Sequence, residues 1–159
     1  MWVAPTLIYL SVDWRSVEHP LHYKVTVFLL DTNVVSELRK VRPHGAVVAW
    51  IEGIADADLY LSAVTLGEIQ AGIEITREQD AAKAADIEKW ADLVSATYNV
   101  LPMDTVTFRL WAKLMHRQSD MVYEDAMIAA SALVHKLTVV TRNVRDFEPF
   151  KVSVFNPFV

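Results

Sequence analysis

The stretch Val25-Thr26-Val27-Phe28-Leu29-Leu30-Asp31-Thr32-Asn33 decides how the rest of the chain is read. Its β-branched and apolar residues run without a polar interruption and stop at a carboxylate. A continuous run of this kind is what a parallel strand covered on both faces requires. Val25 to Leu30 therefore predicts a central strand. A carboxylate ending such a strand is partly desolvated, a cost that chains rarely carry without a partner. Asp31 marks the strand's carboxyl end as the place to look for chemistry.

Working outward, Val34 to Arg39 and Pro43 to Glu52 read as short helices, the second with Pro43 in its first turn and Gly53 as its stop. Leu59 to Val64 is the next strand, followed by a helix through Glu68 with Gly72 as a candidate interruption. A long helix from about Arg77 to Tyr98 carries Ala84, Ile87, Trp90, Ala91 and Val94 on its apolar side. Val100 and Leu101 form a short strand, Asp104 caps a helix reaching about Gln118, and Val122 to Lys136 is a strongly apolar helix. Thr138 to Thr141 and Val152 to Phe155 are the last strands. Strands alternating with helices in this order predict a three-layer α/β/α fold with a mostly parallel central sheet. Ligands bind such sheets at the carboxyl ends of the strands. Residues 1–24 sustain neither strand nor helix periodicity and read as an N-terminal extension outside the fold, dispensable for catalysis, with Val25 or Val27 as a candidate native start. Residues 25–159 form the domain.

A length of 159 residues holds one domain, and 53% hydrophobic against 22% charged residues is the balance of a globular fold with a sizeable core. The formal charge of −5, from 15 basic and 20 acidic side chains, does not attract polyanions, so any nucleic-acid contact is local or helped by cations. Absence of cysteine excludes disulfides, thiol nucleophiles, iron–sulfur clusters and cysteine-bearing zinc sites. No apolar run approaches the roughly 20 residues of a membrane span. Leu7 to Leu10 is preceded by no Lys or Arg and followed by no small-residue cleavage site, so a cytoplasmic protein without a membrane partner is expected.

Asp31 and Glu68 each follow a strand and face the same edge. Asp125 falls in the first turn of the helix from Val122, and Asp146 follows the strand that ends at Thr141. The four carboxylates can therefore converge. Taken singly, each has an ordinary explanation. Thr65-Leu66-Gly67-Glu68 has the pattern of a capping box, Glu124 and Asp125 suit a helix N-terminus, and Asp146 suits an Asx turn. Gathered in one pocket, they would repel by about 4 kcal/mol per close pair at an effective dielectric near ~20. Such a cluster needs a neutralising cation. These segments hold no Cys and no His, so the donors are all oxygen, which selects Mg²⁺ or Mn²⁺ over zinc. Carboxylate-bound Mg²⁺ is recurrent equipment of phosphodiester hydrolysis.

The blocks Leu30-Asp31-Thr32-Asn33-Val34-Val35-Ser36-Glu37-Leu38, Ser62-Ala63-Val64-Thr65-Leu66-Gly67-Glu68-Ile69, Glu124-Asp125-Ala126-Met127-Ile128-Ala129-Ala130 and Thr141-Arg142-Asn143-Val144-Arg145-Asp146-Phe147 resemble, in order and spacing, the four signature blocks of PIN-domain ribonucleases. Within that superfamily the chain looks like the VapC/FitB group of bacterial toxins, and Val154-Phe155-Asn156-Pro157-Phe158 is similar to the FitB-like ending. The resemblance covers residue 27 to the C-terminus. It implies an endoribonuclease using Mg²⁺ or Mn²⁺, the toxin of a type II toxin-antitoxin pair, with Asp31, Glu68 and Asp125 as the first three family acids. Where some relatives carry Asp directly after the Thr-Arg pair this chain has Asn143, and a carboxylate returns only at Asp146, so the fourth role is carried to Asp146, with Asn143 as the alternative, kept as a neutral oxygen donor or water-holding residue. Thr32, Asn33, Ser36 and Thr141 match polar positions that orient carboxylates, with helix capping as the alternative for Thr32 and Ser36. The resemblance also implies a homodimer and a small VapB/FitA-like antitoxin that lays a basic residue into the acidic pocket.

Arg109, Lys113 and Arg117 recur as a basic stripe on one predicted helix face, and Arg39 and Arg142 follow the first and fourth blocks. These five are candidates for RNA or antitoxin contact, although a solvated face is the commoner meaning of such a stripe. Two other classes compete with the nuclease. A phospho-receiver or phosphatase would want a late-strand Lys or an Asp-x-Asp pair, and Val140-Thr141-Arg142 and Asp31-Thr32-Asn33 offer neither. A non-catalytic PIN-like binding module stays open, to be separated by a cleavage assay.

Overall fold

Leu29 and Leu30 are both fully buried but belong to different hydrophobic clusters, one on each side of a sheet. That double coverage is why the run before Asp31 shows no polar alternation. In the computed structural model, which describes residues 26–159, the strand β1 spans Phe28–Leu30. It lies at the centre of a five-stranded sheet with β2 (Leu59–Ser62), β3 (Asn99–Leu101), β4 (Thr138–Val140) and β5 (Val154–Phe155), ordered β3-β2-β1-β4-β5. All neighbouring pairs are parallel, with Leu30 aligned to Leu61 on one side and to Val140 on the other.

Strand alternation sorts the side chains between two cores. Leu30, Leu61 and Val140 meet α1 (Thr32–Leu38), α2 (Gly45–Glu52), α3 (Ala63–Arg77) and α4 (Ala81–Thr97) through Val34, Val47, Ile73 and Ile87. Leu29 and Val139 meet α5 (Thr105–Leu114), α6 (Tyr123–His135) and α7 (Val144–Phe147) through Trp111, Ala129 and Phe147. The result is the expected three-layer α/β/α arrangement. From β1 the chain builds β2 and β3 on one side and β4 and β5 on the other, so the topological switch point lies between β1 and β4. A crevice opens there at the carboxyl ends. Asp31 and Thr141 are the residues that follow the two strands.

Several boundaries differ from the sequence expectation. Backbone pairing begins at Val27, whose carbonyl accepts from Thr138 N at 3.0 Å, and Val25 and the proposed extension 1–24 lie outside the described residues. The second strand stops at Ser62 because Ser62 Oγ accepts from Val64 N and caps α3. Gly72 interrupts nothing: α3 runs through it to Arg77, and a side chain there would meet open space. The helix expected from Arg77 to Tyr98 is α4, which begins four residues later than expected because Asp80 caps it, accepting from Lys83 N at 2.9 Å, while Arg77 is the last residue of α3. Pro43 precedes α2, whose cap position is His44, while Gly53 ends it as expected. Asp104 caps α5 as expected, accepting from Thr107 N at 2.9 Å, but the helix stops at Leu114. Arg117 has φ 66°, so it leaves the helical face that Arg109 and Lys113 share. Among the described residues no helix is long and apolar enough to cross a membrane.

Leu61 is fully buried between two paired strands at the centre of the larger cluster. Leu61→Ala is expected to cost about 2–5 kcal/mol, measured by urea denaturation followed by circular dichroism.

Candidate active site at the sheet edge

Asp31 ends β1 and caps α1, and only 4% of it is exposed. Its Oδ1 accepts from Thr32 N at 2.7 Å, and its Oδ2 accepts from Thr141 Oγ1 at 2.6 Å and from Asn33 Nδ2. Thr141 Oγ1 accepts in turn from Asn33 Nδ2 and Asn143 N, both at 2.9 Å. Asn33 Oδ1 accepts from Arg142 N at 3.1 Å. The carboxylate is thus fixed from both strands that flank the switch point. Burial raises its pKa, these three donors pull it back, and the charge of Asp146 raises it further.

Glu68 lies in the second turn of α3, six residues after the Ser62 cap, so it does not complete a capping box. Its Oε2 accepts from Thr32 Oγ1 instead, which gives Thr32 a partner on another element rather than a capping role. Burial raises the Glu68 pKa, the Thr32 bond opposes it, and the charges of Asp31 and Glu124 add to it. Asp125 sits in the first turn of α6 as expected. Its pKa is pushed up to about 6, by burial first and then by Asp31, Asp146, Glu68 and Glu124. Asp125 thus feels the charge of each of the other three anticipated acids. Asp146, on α7, is half-buried and acts on both Asp31 and Asp125, whereas Asn143 is exposed and its backbone N–H is what reaches Thr141.

Among the described residues no three His, Asp or Glu side chains stand as a ready-made metal cage. Mg²⁺ does not require one, because it keeps several waters and is commonly held through one or two carboxylates. Oxygen donors whose charges raise one another's pKa fit such a cation chemically.

A groove of about 200 Å³ beside Glu68 is lined by Thr32, Ser36, Arg39, Gly72 and Trp90, with the Arg39 guanidinium 5.8 Å from the Trp90 ring. Ser36 is exposed there. Arg109 and Lys113 line a separate groove with Val106 and Leu110 that none of the acids enters. Arg142 is engaged within the chain, its Nη2 3.0 Å from Glu37 Oε2 and its guanidinium over Phe158. From sequence Glu124 reads as a helix-dipole residue, and neither Glu37 nor Phe158 carries a role of its own. The only local signal for Glu37 was a carboxylate on the otherwise apolar face of Val34 and Val35.

The PIN domain family matches residues 28–150. The chain belongs to the PIN-domain family. This PIN domain is 31% identical to Toxin FitB of Neisseria gonorrhoeae over 83% of its own length and 99% of that protein. It is 34% identical to VapC ribonuclease Y4jK of Sinorhizobium fredii, over 83% of this chain and 98% of that one. A solved structure of FitAB bound to an IR36 DNA fragment superposes with a TM-score of 0.73 at 30% identity, covering 84% of this chain and 96% of the other. The PIN fold and the VapC/FitB group named from the four blocks are therefore its fold and its group.

Asp31, Glu68 and Asp125 all have folded-state pKa values above their ordinary ones, so the metal-free fold takes up protons before the unfolded chain does. Stability consequently rises as pH falls from 7 through about 6 toward the unfolded carboxylate range near ~4. Melting in EDTA is expected at a higher temperature at pH 5 than at pH 7. Asp125→Asn should raise the pH 7 value and flatten the dependence. A flat or inverted wild-type profile would contradict this electrostatic description.

Proposed function

We propose that this PIN domain is a metal-dependent endoribonuclease, the toxin of a type II toxin-antitoxin pair. The observation that carries the reading is Asp31, buried at the carboxyl end of β1 beside the β1/β4 switch point and fixed by Thr32, Asn33 and Thr141. Burial together with the charges of Asp31, Asp146 and Glu68 pushes the Asp125 pKa up to about 6, which supports placing all four acids at one site. Relatives that bear the names toxin and ribonuclease over nearly their whole length support the same activity here.

Carboxylates of this set would hold Mg²⁺ or Mn²⁺, one or two directly and the others through the waters the ion keeps, with Asn143 as a neutral oxygen beside them. When bound, the cation supplies an activated water and stabilises charge on the phosphodiester. The chain's own contribution is orientation. Thr141, Asn33 and the Thr32 N–H orient Asp31, and Thr32 Oγ1 orients Glu68, as partners of metal-holding carboxylates do. Arg39, which lines the groove beside Glu68, would meet an RNA phosphate there. The exposed apolar side chains Val106, Phe108, Met121 and Tyr123 support self-association. The unneutralised acids support inhibition by a basic residue of a small antitoxin.

Purified protein is expected to cleave single-stranded RNA with Mg²⁺ or Mn²⁺ and to be silent in EDTA. Asp31→Asn, Glu68→Gln and Asp125→Asn should each lower cleavage more than about 100-fold, Glu68→Gln and Asp125→Asn without lowering the melting temperature and Asp31→Asn lowering it, because one amide oxygen cannot accept from Thr32 N on one side and from Thr141 and Asn33 on the other. Full activity in EDTA would overturn the proposal, and a folded protein without activity under any metal would favour a binding module. For the fourth position, Asp146→Ala should weaken Mn²⁺ binding by calorimetry more than Asn143→Ala, because a carboxylate offers a full charge and an amide only a dipole. The reverse order would transfer the role to Asn143.

A further inference from the structure

Arg142, Asn143, Val144 and Arg145 are all exposed, so apolar burial does little to fix the turn between β4 and α7. Yet that turn carries the Asn143 N–H to Thr141 and sets the position of Asp146. Something directional must hold it.

Glu37, on α1, is a carboxylate only 4% exposed and is not one of the four acids at the site. Its Oε2 lies 2.6 Å from Lys40 Nζ and 3.0 Å from Arg142 Nη2, and its Oε1 accepts from His44 N at 3.0 Å. The Arg142 guanidinium carbon is also 3.9 Å from the centre of the Phe158 ring, within the range of a cation–π contact. Phe158 is itself anchored, its N–H donating to Asn156 Oδ1 at 2.9 Å and its ring 5.4 Å from that of His44. Arg142 is therefore gripped by its side chain between α1 and the C-terminal segment. Its backbone N–H meanwhile donates to Asn33 Oδ1, and Asn33 donates to both Asp31 and Thr141.

We propose that Glu37, Arg142 and Phe158 form a clamp that positions the β4–α7 turn, and through Asn33 and Thr141 the Asp31 carboxylate, for cation binding. Arg142 is on this view a positioning residue and not an RNA contact. An ion pair that includes a buried carboxylate adds little net stability, and its best-attested use is to specify one arrangement over others. A planar guanidinium suits the task because it pairs with a carboxylate and stacks on an aromatic face at once, which a lysine does not. The inference rests on the reading of the four acids as a cation site.

The test uses Phe158→Leu, which keeps apolar bulk and removes the π face, Glu37→Gln, which keeps size and removes charge, and Phe158→Tyr, which restores the ring. Amide exchange at residues 142–146, Mn²⁺ affinity by calorimetry, and kcat and KM on RNA are measured on the full chain. Expected are faster exchange in the turn, Mn²⁺ binding weakened about 10-fold, and a lower kcat at unchanged KM for the first two variants, with recovery in Phe158→Tyr. A lower melting temperature with exchange and Mn²⁺ affinity unchanged would reduce the clamp to a structural contact and overturn it. So would an Arg142→Ala variant that raises KM alone, which would mark an RNA contact. Should the wild type neither bind Mn²⁺ nor cleave RNA, the nuclease reading falls, and unaltered turn exchange in Phe158→Leu and Glu37→Gln would overturn the clamp by itself.

Discussion

Burying the Asp31 carboxylate at the end of a strand covered on both faces is the constraint on which the rest of this molecule depends. A lone carboxylate there would lose its hydration without return. The fold answers with donors from both sides of the switch point: the first N–H of α1, the Asn33 amide, and the Thr141 hydroxyl at the end of β4. Those bonds work only if β1 and β4 are adjacent, parallel and in register, which the pairing of Leu30 with Val140 provides. Sheet topology and site geometry are in this sense one requirement.

The same edge concentrates like charge. Asp146, Glu68 and Glu124 each raise the pKa of a neighbouring acid, so the metal-free site opposes the stability of its own scaffold. The two cores offset that strain. Leu29 and Leu30, Leu61, Val139 and Val140 are all essentially without exposure, and α6 brings the short Ala126, Ala129 and Ala132 against the sheet. An electrostatically destabilised edge on a well-packed sheet is the usual disposition of a site prepared for a charged ligand. An oxygen-only donor set suits a hard cation.

A contrast between two carboxylates shows how far local pattern reaches. Glu68 fits a capping-box spacing, yet Ser62 takes the cap one turn earlier and Glu68 turns to Thr32, 36 residues away in sequence. Glu37 looks like an ordinary helix-surface acid, yet it is buried against Arg142, 105 residues away. Side-chain spacing along one element carries no record of such partners, because a hydrogen bond between distant segments depends on how the elements are packed.

By itself the sequence determined the parallel α/β class, the central strand and the absence of thiolate ligands, and it nominated the four acids. Each of these is written in short runs: continuous apolar residues for a doubly covered strand, strand-then-acid order for the edge, and composition for the missing thiolates. Only the tertiary structure decided that Thr32 serves Glu68, that Arg142 is held between Glu37 and Phe158, and that Arg117 leaves the basic stripe. Those outcomes depend on distances between segments up to 110 residues apart, as with Asp31 and Thr141, and on the backbone turn at a helix end. Residue type and local period constrain neither, because both are fixed by the packing of whole elements against one another.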